Sequence, residues 1–432
     1  MIKAVYTYLK SYILPSPPRE GLGVGLLLFI ACSPEPPLHL YDAQEVTVEQ
    51  PIIDLDLNVY WDYEMAFGID YDWQAEWYYG WDDEDRRLWG ELGYAEPTIF
   101  NLRRYYTAND PAASHTGVVA NTVEGTHFQG RYDWGFWDIL VWNQITTLDG
   151  VQSLIFDEQT SLDSVTAYTN ASMLPARYNA PRYTRAFYAP EPLFTAYDED
   201  IEVNRSLDGF TFDPERNVWV KQLSMVLRPI TYIYLTQVIL HNNNGRITAI
   251  DGSSNLSGMA RTTTLNSGRA GDDAITVNYS VRMKHSVPLL PYSVTHGAAA
   301  SAAPAASPSA PASTAARSAR SALGGLPAET VDIIGGRLMT FGIPGHQANA
   351  ISRADEVLDT HRHYMDLNMQ FNNGMDSTFV FDVTDQVRSR YKGGVITVEL
   401  DMDTIPIPRR SGGSGFDAVV LEPDSVTHVI EM

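Results

Sequence analysis

A period-two alternation of apolar and polar residues recurs along this 432-residue chain and constrains its fold more than any other feature. Such alternation places one face of a strand on a core and the other face in solvent. The segments that show it, or that read as further strands, are 53–61, 138–142, 230–240, 275–283, 365–371 and 395–402. Because amphipathic helical periodicity is scarce, the sequence predicts an all-β protein built from sandwiches.

One of these strands also predicts its partner. The strand at 365–371 ends at Asn372-Asn373-Gly374, and Phe379, Phe381 and Val383 then follow at every second position. A glycine supplies the positive φ that a tight turn requires. The sequence therefore predicts a hairpin here.

The charge balance and the cysteine count exclude several classes of function. The chain has 53 acidic and 30 basic residues and a net charge of -23, whereas nucleic-acid binding depends on clustered Lys and Arg. A single cysteine excludes an internal disulfide, a CxxC redox pair and a thiolate zinc cluster. We therefore expect no nucleic-acid partner, no metal and no cofactor.

The N-terminus has the order of a bacterial export signal. A basic leader precedes an apolar run at 21–31, which is too short, at ~1.5 Å per residue, to span a bilayer as a helix. The sequence Leu28-Phe29-Ile30-Ala31-Cys32 resembles the lipobox of bacterial lipoproteins, in which the cysteine is acylated. The resemblance implies a signal peptide at 1–31, lipidation of Cys32 and a proline-rich tether at 32–37. The alternative is that Cys32 is a buried residue of a strand.

Changes in composition divide the rest of the chain. Residues 38–200 are crowded with Trp and Tyr, whereas residues 210–432 are richer in Ile, Val, Thr and Gly. We expect an N-terminal aromatic-rich β-sandwich and a C-terminal β-sandwich. Residues 296–327 form an Ala/Pro/Ser tract with no apolar side chain larger than alanine before Leu323, which predicts a disordered insertion in the second sandwich.

Six short segments occur in a characteristic order. They are "GRYDWGFWDILVWNQ" (130–144), "SVTAYTN" (164–170), "NLSGMARTTTLNSG" (255–268), "MTFGIPG" (339–345), "FVFDVTDQV" (379–387) and "GGSGFDAVV" (412–420). This order resembles a family of Bacteroidales lipoproteins of unknown function that is similar to the fimbrillin superfamily, which includes anchor and accessory subunits of minor fimbriae. The resemblance implies two tandem transthyretin-like β-sandwiches, a place on the outer membrane facing outward, and fimbrial or other surface subunits as partners. It implies no catalytic residues.

The spacing of basic residues refines this resemblance. Fimbrillins that polymerise lose their first strand to an arginine-specific protease, which opens a groove for a strand of a neighbouring subunit. Between Cys32 and Arg86 this chain has no Lys or Arg. The strand at 53–61 is therefore predicted to stay in place, which favours an anchor or terminal subunit over a stalk subunit.

Few residues suggest chemistry. His361 and His363 could share a metal but lack a third ligand, so we expect exposed polar residues at a strand edge. The acids of 81–87 lack the spacing of a calcium loop and predict a solvated loop. Asp54 and Asp56 share a strand face, but a carboxylate pair means little among 53 acids. HExxH, phosphate-loop and GxSxG motifs are absent from the sequence, and we expect no enzyme.

Aromatic residues interleaved with acids crowd segment 60–89, and four of them are predicted to contact a ligand or partner. These are Trp73, Trp77, Tyr78 and Trp81. Exposed rings beside carboxylates can stack on sugars, whereas buried rings are typical of sandwich cores and subunit interfaces. The sequence thus favours a lipid-anchored, non-catalytic surface protein that acts as a fimbria-like anchor or accessory (adhesion) subunit. A surface glycan-binding lipoprotein is the alternative.

Overall fold

The structure is a computed structural model. It describes residues 50–61, 72–108, 110–145, 152–158, 162, 165–172, 185–292, 329–346, 360–408 and 429–431. Four features predicted from the sequence lie outside these residues: the signal peptide, Cys32 with its tether, the Ala/Pro/Ser tract and the segment at 412–420.

Twenty strands and two short α-helices make up the regular structure of the described residues. The strands are β1 (Ile52–Val59), β2 (Ile99–Thr107), β3 (Gly117–Glu124), β4 (His127–Arg131), β5 (Gly135–Asn143), β6 (Leu154–Asp157), β7 (Thr166–Thr169), β8 (Ala186–Tyr188), β9 (Phe194–Val203), β10 (Thr211–Asp213), β11 (Val218–Pro229), β12 (Tyr232–His241), β13 (Ile247–Ala260), β14 (Thr262–Thr264), β15 (Ala274–Pro288), β16 (Thr330–Thr340), β17 (Tyr364–Phe371), β18 (Asp376–Asp382), β19 (Gly394–Asp401) and β20 (Val429–Glu431). The helices are α1 (Asp83–Trp89) and α2 (Thr384–Ser389), and a single 3-10 turn spans Trp73–Ala75. Neither helix is long and apolar enough to cross a membrane, among the residues described.

The strands form three sheets. The first has eight strands in the order β3-β2-β5-β9-β11-β1-β4, with β10 paired to β11. The second has nine strands in the order β19-β12-β16-β15-β13-β17-β18-β20, with β8 paired to β15, and the third has the order β14-β7-β6. The two large sheets are sandwich-like, and the prediction of an all-β protein is confirmed.

Strands from the two predicted sandwiches share sheets. Strands β7 and β8 precede residue 200, yet β7 pairs with β14 and β8 pairs with β15. The segment 38–200 therefore supplies strands to sheets that later residues complete. The division into domains at 38–200 and 210–432 stays a prediction.

The individual strands predicted from the alternation are confirmed. They correspond to β1, β5, β12, β15, β17 and β19. The predicted hairpin is also present, since β17 pairs antiparallel with β18 and Gly374 has a φ of 76° in the turn between them. This turn would strain a residue with a side chain, which explains the glycine.

Strand β1 is held on both of its edges. It pairs in parallel with β11 over its whole length and antiparallel with β4 over its first five residues. Ile53, Leu55 and Leu57 are buried in the same apolar cluster as Ile333 of β16, whereas Asp56 is exposed. The first strand thus joins the first sheet to a core that the second sheet shares.

Truncating β1 inside this core is expected to destabilise the protein strongly. Leu55 has 0% exposed surface, and Leu55→Ala should lower the free energy of unfolding by about 2–5 kcal/mol because it leaves a cavity. The control on the same strand is Asn58→Ala, an exposed position where we expect about 0.5 kcal/mol or less. Chemical denaturation of both variants gives the comparison, and equal midpoints would contradict the placement of β1 in the core.

Candidate functional site

Residues 72–94, here called the aromatic segment, lie against strands β12 and β16 of the second sheet. The Gln237 side chain of β12 accepts a hydrogen bond from the Tyr78 N–H at 2.9 Å and donates one to the Glu76 carbonyl at 2.7 Å. The Arg337 guanidinium of β16 donates to the Leu92 carbonyl at 3.1 Å. Side chains of the sheet thus replace the backbone partners that this irregular segment lacks.

A glycine in β16 lets the segment approach the sheet closely. The ring of Tyr79 lies over Gly335, and a Cβ atom on that glycine would lie 2.4 Å from ring carbons. The Tyr79 ring is also 5.5 Å from the ring of Trp77, centroid to centroid. Both side chains are almost completely buried. The rings therefore pack as a core layer on the second sheet.

An ion cluster fixes the end of this layer. The Asp85 carboxylate has 0% exposed surface and lies 2.8 Å from Arg282 Nη1 and 2.5 Å from Lys284 Nζ, both on β15. The Tyr79 hydroxyl donates to Asp85 at 3.1 Å. Burial and the neighbouring Asp85 charge raise the pKa of Tyr79 well above its usual range. The buried carboxylate is thus compensated by two cations and one hydroxyl, which is the condition for burying a charge.

Asp82 links the cluster to helix α1. It caps the helix by accepting from the Glu84 and Asp85 N–H groups, and the Asp85 carboxylate accepts from the Asp82 N–H in return. Burial by itself would raise the pKa of Asp82, but hydrogen bonds from the Asp85 N–H, Arg282 and Lys284 outweigh it and hold that pKa far below its usual range. The prediction of a solvated loop at 81–87 was wrong. The reciprocal capping begins a helix at Asp83, and two cations from the distant strand β15 allow its Asp85 to be buried.

The four aromatic residues singled out in the sequence occupy different environments. Trp77 and Trp81 are buried, at 0% and 4% exposure, so they offer no ring face to a ligand on the surface of this chain. Trp73 and Tyr78 are half-buried, and Trp73 packs 5.8 Å from Tyr292. The burial of Trp77 and Trp81 is typical of a sandwich core, and contact with a ligand or partner stays a prediction for Trp73 and Tyr78.

The other candidate residues are held in structural hydrogen bonds. His363 is buried rather than exposed, and its Nδ1 lies 3.2 Å from the Ser257 carbonyl, which corrects the expectation of an exposed strand edge. Asp54 is buried and accepts from Gln129 at 2.7 Å and Gln222 at 3.1 Å. Among the residues described, no group of three or more His, Cys, Asp or Glu is placed to hold a metal.

Two titratable groups with shifted pKa values lie elsewhere in the fold. Burial raises the pKa of Glu191 to about 7. Burial and the charge of Lys392 lower the pKa of His346 to about 4, and neither ring nitrogen of His346 has a hydrogen-bond partner among the residues that the structure describes. The His346 ring packs 4.6 Å from the ring of Tyr391. No described contact joins Glu191 to His346, so they do not form an acid–base pair.

One exposed pair of aromatic rings was not predicted from the sequence. Phe212 and Trp219 are opposite residues of the β10–β11 hairpin, with ring centroids 5.3 Å apart. They are 43% and 39% exposed. In the sequence, this pair could be recognised as two aromatic residues on either side of the turn segment Pro214-Glu215-Arg216-Asn217. The exposure of the two rings could not be predicted, because it depends on where the sheet ends.

Comparisons with known proteins give structural neighbours only. No protein-family model matches the chain and no curated protein matches it. Similar solved structures include a candidate adhesin from Bacteroides ovatus, with 10% identity, 83% of this chain and 94% of the other covered, and a TM-score of 0.42. The fimbrial anchor protein Mfa2 from Porphyromonas gingivalis has 11% identity, 81% and 90% coverage, and a TM-score of 0.36. The tip fimbrial protein Mfa3 from the same organism, truncated at its C-terminus, has 6% identity, 66% and 76% coverage, and a TM-score of 0.26.

These neighbours are one candidate adhesin and two fimbrial proteins.

Adding a methyl group beneath the aromatic segment is expected to destabilise the protein. Gly335→Ala places a Cβ against the Tyr79 ring, and overpacking of this kind costs about 1–3 kcal/mol. The matched control is Gly117→Ala in the edge strand β3, where nothing lies within 4 Å of the added carbon. Thermal unfolding of both variants tests the packing, and an unchanged melting temperature for Gly335→Ala would contradict it.

His346 is expected to make stability depend on pH. Its pKa falls from an ordinary value of 6.5 to about 4 in the folded protein, so the unfolded chain binds more protons between these values. The contribution of His346 to the free energy of unfolding is complete above pH 6.5 and is lost as the pH falls toward 4, by as much as about 3 kcal/mol. We expect His346→Phe to flatten this part of the pH profile relative to wild type. Parallel pH profiles for wild type and His346→Phe would refute the assignment.

Proposed function

We propose that this protein is a non-catalytic surface protein, anchored in the outer membrane through an acylated Cys32, which acts as a fimbria-like anchor or accessory subunit in adhesion. Its partners are fimbrial or other surface subunits. Its mechanism is to hold a folded β-structure at the membrane rather than to turn over a substrate.

The retention of the first strand carries the proposal. Strand β1 is paired on both edges, and its apolar face lies in the core. The chain between Cys32 and Arg86 offers no Lys or Arg to a protease of basic specificity. A subunit whose first strand stays paired keeps its N-terminal anchor and offers no vacant groove at that position. These are the properties of the terminal member of an assembly rather than of a repeating one.

The first arginines after Cys32 are themselves protected. Arg86 and Arg87 lie in helix α1, which the Asp82 cap and the Asp85 ion pairs hold on the second sheet. A protease binds its substrate as an extended strand, so cleavage here requires local unfolding of the helix. The ion cluster therefore supports retention of the anchor.

Acylation would provide stable attachment. Each buried methylene contributes about 0.8 kcal/mol, and stable anchoring needs two signals rather than one chain. A triacylated cysteine exceeds that requirement. The fold then needs no membrane-spanning element.

Metabolic labelling tests the anchor. We expect radiolabelled palmitate to enter the wild-type protein and not Cys32→Ala, and mass spectrometry to find acylated Cys32 at the mature N-terminus. Equal labelling of Cys32→Ala, or a mature N-terminus after Arg86 or Arg87 without an acyl group, would overturn the proposal.

Limited proteolysis tests the protection of helix α1. Removing both cations in Arg282→Ala/Lys284→Met leaves the buried Asp85 without its two ion-pair partners, and an uncompensated buried charge costs about 3–5 kcal/mol. We expect faster release of the fragment that begins at Leu88 when the variant is treated with an arginine-specific protease. Arg103→Ala, which removes an ion pair with the exposed Glu158, is the control and should cleave at the wild-type rate. Equal rates for all three proteins would show that the cluster does not protect this site.

A further inference from the structure

The terminal strands of the three sheets differ in how their outer edges are protected. Strands β4, β6, β14 and β20 have five residues or fewer, and short edge strands offer little backbone to another chain. Strand β19 has eight residues, but the Gln386 side chain donates to the Thr397 carbonyl and accepts from the Thr397 N–H, both at 2.9 Å. The Gln386 amide thus occupies the outer edge of β19 in the way that a further strand would.

Strand β3 is long and lacks this protection. It pairs with β2 at eight successive positions without a bulge, and it contains no Lys, Arg or Pro. In the same register, the Gly125 N–H donates to the Thr98 carbonyl. Hydrogen bonds alternate in direction along an antiparallel ladder, so the even-numbered residues of β3 direct their N–H and C=O groups away from β2. No strand among the described residues pairs with that outer edge.

Apolar side chains are concentrated beside this edge. Val118 and Val119 are each 39% exposed, and Ile99 of the neighbouring strand β2 is 37% exposed. Because successive residues of a strand face opposite sides of the sheet, the two valines leave apolar surface on both faces of β3. An uncharged edge with exposed β-branched residues is a template for a further strand.

We propose that β3 pairs antiparallel with β3 of a second copy of this chain across a two-fold axis. The pair joins the first sheets of the two copies edge to edge. Such a contact uses the same surface on both copies and closes on itself, so it gives a dimer rather than a filament. The pairing requires neither the lipid anchor nor a fimbrial partner.

The side chains of β3 select one register for this pair. A two-fold axis at Asn121 places Val119 of each copy opposite Val123 of the other. Val123 is buried in the core, and Val119 lies on the same face of the strand. Apolar cross-strand pairs stabilise a sheet, whereas an axis at Ala120 would place Val119 opposite Asn121. The register centred on Asn121 is therefore favoured.

The one charged residue of β3 favours the antiparallel direction. Glu124 is the last residue of the strand, and in the register centred on Asn121 it lies opposite Val118 of the other copy. The two Glu124 residues are then roughly 20 Å apart along the strands, at ~3.4 Å per residue. That distance exceeds the Debye length of about 8 Å at physiological ionic strength. A parallel pair in register would place the two carboxylates side by side.

Cross-linking tests the register. The full chain with Cys32→Ala has no other cysteine, so one introduced thiol reports on one position. In Asn121→Cys the two thiols meet at the axis, in a non-hydrogen-bonded pair with Cα atoms about 4.5 Å apart, which suits a disulfide. We expect mild oxidation to give a covalent dimer. The matched control is Val119→Cys on the same face, whose two Cα atoms lie about 14 Å apart and should not be bridged.

Sedimentation velocity over a concentration series measures the association without a cross-link. One pair of eight-residue strands buries less area than a standard interface, so we expect a dissociation constant in the micromolar range. Ala120→Pro removes an N–H group from the outer edge and no hydrogen bond to β2. It should raise the dissociation constant by about tenfold or more. Ala120→Ser keeps that N–H group and should associate as the wild type does.

Each outcome decides for or against the pairing. Monomers at every concentration would leave the edge to a strand of a different protein and overturn the proposal. A dimer that is unaffected by Ala120→Pro would place the interface elsewhere on the molecule and also overturn it. Equal cross-linking of Asn121→Cys and Val119→Cys would refute the register. Palmitate labelling of Cys32 is measured independently, so failure of the dimer and failure of the anchor are distinguishable.

Discussion

Asp85 is buried without any exposed surface, and Arg282 and Lys284 of β15 lie within ion-pair distance of its carboxylate. A carboxylate placed there alone would cost several kcal/mol, so the two cations stabilise the position of its helix on the sheet. That helix lies within the aromatic segment, which also carries the Tyr79 ring over Gly335 and the buried Trp77 and Trp81.

The same attachment shapes what the protein can do. Because the aromatic segment serves as a core layer, its most buried rings are not available to a sugar or a partner. The first arginines after Cys32 lie in the attached helix, and β1 is paired on both of its edges. These two properties support the proposed role as an anchor subunit.

The sheet also gives the molecule two distinguishable ends. Phe212 and Trp219 lie at the end where β1 begins, and Trp61 lies where β1 finishes. Strand β1 therefore runs from the end with the Phe212–Trp219 pair to the end with Trp61.

The strands were predictable because their signal is local. Alternation at 53–61 or 365–371 depends only on which face of that strand is buried, and the turn at Gly374 depends on the φ of one residue. The prediction of a solvated loop at 81–87 was wrong because the partners of its acids, Arg282 and Lys284, lie about 200 positions later in the sequence. The prediction that His363 is exposed was wrong for a similar reason, since the Ser257 carbonyl beside its ring belongs to another strand.

The sequence by itself determined the all-β class, the position of the first strand, the absence of Lys and Arg between Cys32 and Arg86, and the single cysteine at position 32. Each of these is a property of a residue and its near neighbours. Only the tertiary structure decided which aromatic rings are buried, that Asp85 is an internal anion, and that Phe212 and Trp219 remain exposed beside the start of β1. The physical reason is that burial depends on what packs over a side chain, and in a sheet built from distant strands that covering residue is rarely near in the sequence.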